Sequence, residues 1–283
     1  MSEKTILGID MGGTNVRGGI VRGQYLSDVI TQKINARGSE EEVKEELFYL
    51  IDLFISNNIH AIGIGVPGLI DEQAAMVYDV VNIPSWKKLP LKRWIQDRYS
   101  LPVEINNDAN CFALGEFYFG KGKSVSSMIG TTIGTGLGSG IIINDKIYTG
   151  RNGGAGEFGM APYLDQCYEY YASGQFFDNV YGTPGEVVFT KAKAGEESAL
   201  SQYAEMGMHL GNAVKMMLFA LDVELIVFGG SVRHAWPYFQ EAMWKQIKTF
   251  PFTRVLEHLK IEVSELNNAG ILGAAALHYH SVD

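Results

Sequence analysis

A glycine-rich turn between two apolar strands is written twice in this chain. That duplication constrains the fold more than any other feature. The first copy runs Leu7-Gly8-Ile9-Asp10-Met11-Gly12-Gly13-Thr14-Asn15-Val16-Arg17-Gly18-Gly19-Ile20-Val21. The second, aligned without a gap, runs Ile129-Gly130-Thr131-Thr132-Ile133-Gly134-Thr135-Gly136-Leu137-Gly138-Ser139-Gly140-Ile141-Ile142-Ile143. Each is followed by a further turn, at Arg22-Gly23-Gln24 and at Asn144-Asp145-Lys146, and by another short apolar stretch. Glycines let a backbone approach phosphate oxygens, which accept from main-chain N–H groups and Thr hydroxyls. Two such turns across a cleft could hold a polyphosphate from both sides.

The rest of each half follows one plan. Residues 4–36 read as a three-strand meander. Ser39 with Glu42 forms a capping box for a helix whose apolar face is Val43, Leu47, Leu50, Ile51, Phe54 and Ile55. Next come a buried strand, Ala61–Val66, closed by Pro67-Gly68, and a loop with Asn82-Ile83-Pro84-Ser85-Trp86. A helix near 91–99 and a short strand at 103–105 lead to a helix opened by Asn107-Asp108-Ala109-Asn110 and running to about Phe119. The second half repeats a meander at 127–149, inserts a polar and aromatic segment at 150–185, and continues with a helix at 198–221. The strand Leu225–Phe228 ends in Gly229-Gly230-Ser231, and a helix at 236–249, a strand at 261–263 and a last helix at 270–280 follow. This alternation predicts an α/β fold of two related lobes. The expected division is 1–115 plus 270–283 for a smaller N-terminal lobe and 116–269 for a larger one, with a hinge near 110–125.

Length and composition suit a globular protein with ample core: 283 residues, of which 46% are hydrophobic. A net charge of −9 argues against a general nucleic-acid or anionic-membrane binder. Cys111 and Cys167 have neither CxxC nor metal spacing, which points to a reducing compartment. No signal peptide or spanning apolar run is visible, so a cytoplasmic protein is expected, with no membrane or nucleic-acid partner. The six histidines show no HExxH pattern, and His278 and His280 are expected to be solvated.

Several segments carry chemistry. Asp10, at the end of a strand, would repel phosphate directly but could hold hydrated Mg²⁺, while Gly12, Gly13, Thr14 and Asn15 donate to β- and γ-phosphates. Alone, the same turn is also a hairpin capped by its Asp. In the second copy Thr132, Gly134, Thr135 and Gly136 are the equivalent donors. Its Gly134-x-Gly136-x-Gly138 spacing is not a dinucleotide fingerprint, because Ser139 stands where the third glycine is needed and a β-branched run follows. Asp108, delivered by a short strand to a helix N-terminus, is either an N-cap or a general base for a hydroxyl attacking a γ-phosphate, with Asn107 orienting a neighbouring hydroxyl. Glu157 stands alone within Gly153-Gly154-Ala155-Gly156-Glu157-Phe158-Gly159, either a surface loop or backbone packed close to a ligand. Glu169 among Tyr168, Tyr170 and Tyr171 suits a sugar site or a surface helix equally. Gly229-Gly230-Ser231 suits an adenosine or α-phosphate contact, or an ordinary strand-to-helix turn.

At these residues the chain resembles the ROK family of sugar kinases, within the actin/hexokinase (ribonuclease H-like) superfamily. The resemblance covers essentially the whole length, through Asp10-Met-Gly-Gly-Thr, Val66-Pro-Gly, Asn82-Ile-Pro-Ser-Trp, Asn107-Asp108-Ala-Asn, Thr132-Ile-Gly-Thr-Gly-Leu-Gly, Gly154-Ala-Gly-Glu-Phe-Gly and Gly229-Gly-Ser. It implies that Asp108 is the catalytic base and that Gly68, Asn82, Asn107, Asp108, Glu157 and Glu169 bind the sugar. It also implies that the two glycine turns and Gly229-Gly230 bind Mg·ATP, and that the protein forms a homodimer. The family usually follows its Gly-Glu-x-Gly segment with a His and a cysteine-rich zinc motif. Here Met160 takes the His position, and only Cys167-Tyr168-Glu169 remains of the motif, so no zinc is expected.

These readings imply an ATP-dependent hexokinase acting on a hexose hydroxyl, glucose 6-OH first, with lobe closure excluding water. Kinases of N-acetylmannosamine, N-acetylglucosamine, mannose or fructose are alternatives within the class, and polyphosphate is an alternative donor. From other classes come a non-enzymatic sugar sensor, for which Asp10 leaves no room for a preceding helix-turn-helix, and an actin-like ATPase switch. An iron–sulfur activator is disfavoured by two scattered cysteines.

Overall fold

In the computed structural model, residues 4–71 and 74–280 are described, without the side chain of His280. The chain divides into two units, 1–126 with 140–155 and 265–283, and 127–139 with 156–264. Relative to a division at 115 and 270, the first unit also takes in 116–126, 140–155 and 265–269. Residues 110–125 all lie inside it.

The first unit opens with the meander β1 (Thr5–Met11), β2 (Asn15–Arg22) and β3 (Tyr25–Lys33), followed by α1 (Glu40–Asp52). Ser39 accepts from the Glu42 N–H while the Glu42 carboxylate accepts from the Ser39 N–H, so the capping box forms. Val43, Leu47, Leu50 and Ile51 face the core with Phe54, but Ile55 is 42% exposed. The helix ends at Asp52, so Ile55 sits in a short 3₁₀ turn that no longer keeps the helical period. After β4 (Ala61–Val66), a small antiparallel sheet is built from β5 (Leu69–Asp71), β6 (Met76–Tyr78) and β7 (Lys88–Leu89). Then come α2 (Leu91–Tyr99), β8 (Val103–Asn107) and α3 (Asp108–Phe119). The main sheet has the order β3-β2-β1-β4-β8. Its meander is antiparallel and β1-β4-β8 run parallel.

The second copy of the turn joins β9 (Met128–Ile133) to β10 (Leu137–Ile143), and β11 (Lys146–Ile147) follows. Residues 140–143 of β10 and all of β11 belong to the first unit. The insertion at 150–185 contains a hairpin, β12 (Pro162–Tyr163) and β13 (Gln166–Cys167), and two short helices, α4 (Tyr168–Ala172) and α5 (Phe176–Tyr181). Helices α6 (Gly185–Lys193) and α7 (Glu197–Leu221) precede β14 (Leu225–Gly229). Then come α8 (Trp236–Ile247), α9 (Thr253–His258), β15 (Lys260–Val263) and α10 (Ala269–His280). The second sheet, β11-β10-β9-β14-β15, repeats the first strand for strand, with β9-β14-β15 again parallel.

Helix α10 packs on α3, β1, β4 and β8 of the first unit. Glycines make that approach: a Cβ on Gly63 would fall 1.8 Å from the Ala274 carbonyl oxygen, and one on Gly115 2.2 Å from that of Ala269. His278 is therefore not solvated. Its Nε2 lies 2.9 Å from the Ile62 carbonyl, and burial pushes the imidazole down from its ordinary value.

Gly63→Ala places a methyl group against backbone that cannot swing aside. It should cost about 1–3 kcal/mol or more by urea unfolding. Gly154→Ala, where a Cβ meets nothing within 4 Å, should leave the midpoint unchanged. Equal midpoints for the two variants would contradict this packing.

Candidate active site

In the first unit the residues of the glycine turn surround one recess. Asp10 occupies β1 opposite Arg17 of β2, and the two side chains form an ion pair. A Cβ on Gly270 would lie 2.8 Å from the Asp10 carboxylate, so this acid sits over the first turn of α10, where the N-terminal dipole favours negative charge. The Gly12 N–H donates to the Asn15 carbonyl at 2.9 Å and closes the turn. Gly13 has no side chain because Asn82 stands there: a Cβ would fall 2.3 Å from that of Asn82. Asn82 itself is exposed, on a loop pinned to the core by fully buried Ile83 and Trp86. The sequence motif at 82–86 is thus one outward polar residue on two apolar anchors.

The strand β8 delivers Asn107 and Asp108 to the start of α3. The helix cap is Asn107, not Asp108. Asn107 Oδ1 accepts from the N–H groups of Ala109 at 2.8 Å and Asn110 at 3.4 Å, and its Nδ2 donates to the Gly68 carbonyl at 3.2 Å. Asp108 is the first helical residue, and its Oδ1 accepts from the Ala109 N–H at 2.9 Å. Gly65 of β4 makes room for this turn, since a Cβ there would crowd the Cys111 sulfur at 3.1 Å and the Asp108 Cα at 3.5 Å. Asp10, Met11, Gly12, Gly13, Thr14, Asn15, Arg17, Thr31 and Asp108 line a single recess of about 390 Å³. Beneath it, burial and then the charges of Asp10 and Asp108 push the Cys111 thiol well above its ordinary value. Cys111 therefore stays protonated and is no nucleophile.

In the second unit the Gly134 N–H donates to the Gly136 carbonyl at 3.0 Å, and the Thr132 hydroxyl reaches the Gly138 carbonyl at 3.4 Å. Ser173-Gly174 tie to this turn through Ser173 Oγ to the Thr135 carbonyl at 2.9 Å and the Gly174 N–H to the Gly134 carbonyl at 2.7 Å. Glu169, in the first turn of α4, accepts from the Leu137 N–H at 2.8 Å, and a Cβ on Gly136 would fall 2.5 Å from the same carboxylate oxygen. Glu157 precedes the 3₁₀ turn Phe158–Met160. Glu157 is exposed as a whole residue, and its carboxyl is partly desolvated. That desolvation first, and the Glu169 charge second, push the carboxyl above its ordinary value. Met160 is exposed, and among the described residues no group of three or more His, Cys, Asp or Glu side chains could hold a metal ion.

Gly229 ends β14. Gly230 turns with φ +78°, a Cβ there would fall 2.2 Å from the Ile133 carbonyl oxygen, and its own carbonyl accepts from Arg233 at 2.9 Å. The adjoining pocket of about 670 Å³ is bounded by Gly134, Thr135, Gly174, Ser231 and Val232, and by Phe177, Phe189 and Tyr203. These aromatic residues carry no local motif. They come from α5, α6 and α7, and only tertiary packing brings them together. No helix among the described residues is long and apolar enough to cross a membrane.

The model of the ROK family matches residues 6–280. The chain is 28% identical to the glucokinase of Halalkalibacterium halodurans, over 98% of this chain and 96% of that one. It is 29% identical to the xylose repressor of Caldicellulosiruptor bescii, over 96% of this chain and 77% of the repressor. The crystal structure of the ROK family glucokinase from Streptomyces griseus, in complex with glucose and AMPPNP, superposes with a TM-score of 0.83. It is 26% identical, with 96% of this chain and 98% of that one covered.

The raised Glu157 carboxyl has a consequence for stability. The folded chain keeps this proton to higher pH than the unfolded chain, so folding loses stability as pH rises from the ordinary value of 4.5 through the folded one. Glu157→Gln abolishes that loss. By urea titration the variant should be more stable than wild type at about pH 7 and equal to it at about pH 3. A variant less stable at neutral pH would contradict the raised carboxyl.

Proposed function

The chain belongs to the ROK family, and from that premise we propose that it is an ATP-dependent sugar kinase whose acceptor is a hexose hydroxyl, glucose 6-OH foremost. The observation that carries this reading is the recess shared by Asp108 and the first glycine turn, with the capping duty taken by Asn107. A carboxylate at the first position of α3, with one oxygen accepting from the Ala109 N–H and beside main-chain donors, suits removal of a proton from a hydroxyl next to bound phosphate. Asp108 takes that proton as the hydroxyl oxygen attacks the γ-phosphorus. The bond from phosphorus to the β–γ bridging oxygen breaks, and ADP leaves. In the first unit Gly12, Gly13, Thr14 and Asn15 hold the β- and γ-phosphates; in the second, Thr132, Gly134, Thr135 and Gly136 are the proposed nucleotide contacts. Gly229 and Gly230, preceding the pocket residues Ser231 and Val232, are the proposed adenosine contacts.

Asp10 and Asp108 bring hard oxygen ligands to the recess, and Asp10 would hold Mg²⁺ through water. Bound there, Mg²⁺ would neutralise charge on the transferring phosphoryl. Arg17 keeps the Asp10 carboxylate from facing phosphate as a bare like charge. The sugar contacts proposed for the first unit are Asn82, Asn107 and Gly68; those proposed for the second are Glu157 and Glu169. Kinases of N-acetylglucosamine, N-acetylmannosamine, mannose or fructose are the alternatives within the class, and the exposed Met160 near Glu157 is where such a preference would be set. The likeness to a xylose repressor favours a second reading, sugar binding without turnover.

Asp108→Asn decides between them. ADP release with glucose should fall about 10²–10⁴-fold, with glucose still raising Tm. A near-wild-type rate would refute Asp108 as the base. Glucose raising the Tm of wild type without any turnover would establish the second reading.

A further inference from the structure

Glu157 and Glu169 are joined by a hairpin that is too short to hold itself. Its strands β12 and β13 have two residues each, and an isolated two-stranded hairpin is at best marginal in water. What fixes it is Tyr163. Its ring stacks on Tyr168, the neighbour of Glu169, with centroids 4.3 Å apart and planes 14° from parallel. It also meets Tyr171 and His209 edge-on, at 5.8 and 5.6 Å. A half-buried polar chain adjoins the stack: Gln246 Nε2 donates to Asn212 Oδ1 at 2.7 Å, and Asn212 Nδ2 donates to the Tyr163 hydroxyl at 2.8 Å. The Tyr163 hydroxyl lies 3.1 Å from His209 Nδ1. With a neutral imidazole carrying its proton on Nε2, the hydroxyl accepts from Asn212 and donates to Nδ1. Burial, which pushes His209 down against the opposing charge of Glu205, favours the same form.

We propose that Tyr163 and His209 are positioning residues: they anchor the 157–169 segment to the long helix α7 and so fix Glu157 and Glu169 toward the sugar. This rests on the reading of those two glutamates as sugar contacts. The backbone carries the effect in both directions. Upstream, the Met160 N–H bonds the Glu157 carbonyl at 3.1 Å. Downstream, the Tyr168 N–H bonds the Ala161 carbonyl at 3.2 Å, one residue before Glu169. The anchor supplies no group to the reaction, so its loss should weaken sugar binding and spare chemistry and ATP.

Tyr163→Phe keeps the ring contacts and removes both hydroxyl bonds. It should raise the sugar KM about 2- to 10-fold, the size of one net hydrogen bond, with kcat and the ATP KM nearly unchanged. Cys167, at the foot of the hairpin and the more accessible of the two cysteines, reports the segment independently: a thiol reagent should label it several-fold faster in the variant. His209→Leu should behave like Tyr163→Phe. His209→Asn, whose Oδ1 can accept in place of Nδ1, should restore both readouts. Unchanged Cys167 labelling in Tyr163→Phe would overturn the anchor. Faster labelling with an unchanged sugar KM would overturn its role in positioning, provided Glu157→Gln does raise that KM. If Glu157→Gln leaves the sugar KM unchanged as well, the sugar assignment of Glu157 falls, and the positioning role with it.

Discussion

The backbone of α10 lies almost against β1, β4 and α3, and the arrangement of the first unit depends on that approach. Four elements can meet so closely only where side chains are absent, at Gly8, Gly63, Gly115 and Gly273. The consequence is chemical as well as architectural. Gly270 lets the first turn of α10 slip beneath Asp10, and Gly65 lets the first turn of α3 sit close to β4. One recess then receives two carboxylates, each stabilised by a helix N-terminus, beside the main-chain donors of the glycine turn.

In the second unit the equivalent turn carries no acid, since Thr132 stands where Asp10 does. Its partner is instead Glu169, brought from the insertion to the Leu137 N–H. The two copies have therefore diverged in role while keeping one topology. The first sets acids beside main-chain donors, and the second couples its turn to the segment that bears Glu157. That coupling makes the short hairpin at 162–167 matter. A rearrangement there would reach Glu169 and the glycine turn together.

Much of this was legible in the sequence because it depends on local rules. The doubled turn, the capping box of Ser39 and Glu42, and the strands at 61–66 and 225–228 each have a short-range cause. Legibility ended where neighbours compete or distant elements meet. Asn107 and Asp108 are both good caps, and only the strand's end decides that Asn107 takes the position and Asp108 enters the helix. Ile55 matched the helical period one turn beyond the helix. His278 looked solvated near the end of the chain, yet the glycine contacts draw α10 onto β4 and place its imidazole on the Ile62 carbonyl. Phe177, Phe189 and Tyr203 share a pocket only through the packing of three helices. The bond from Glu169 to Leu137 spans residues no motif connects.

The central claim is that these groups move a phosphoryl group from ATP to a sugar hydroxyl. Phosphorus NMR of purified protein with ATP, Mg²⁺ and each of several hexoses tests it most directly. A new sugar-phosphate ester resonance rising with ADP, fastest with glucose, is the predicted result. Inorganic phosphate appearing at the same rate with and without sugar, and no ester with any hexose, would contradict the account.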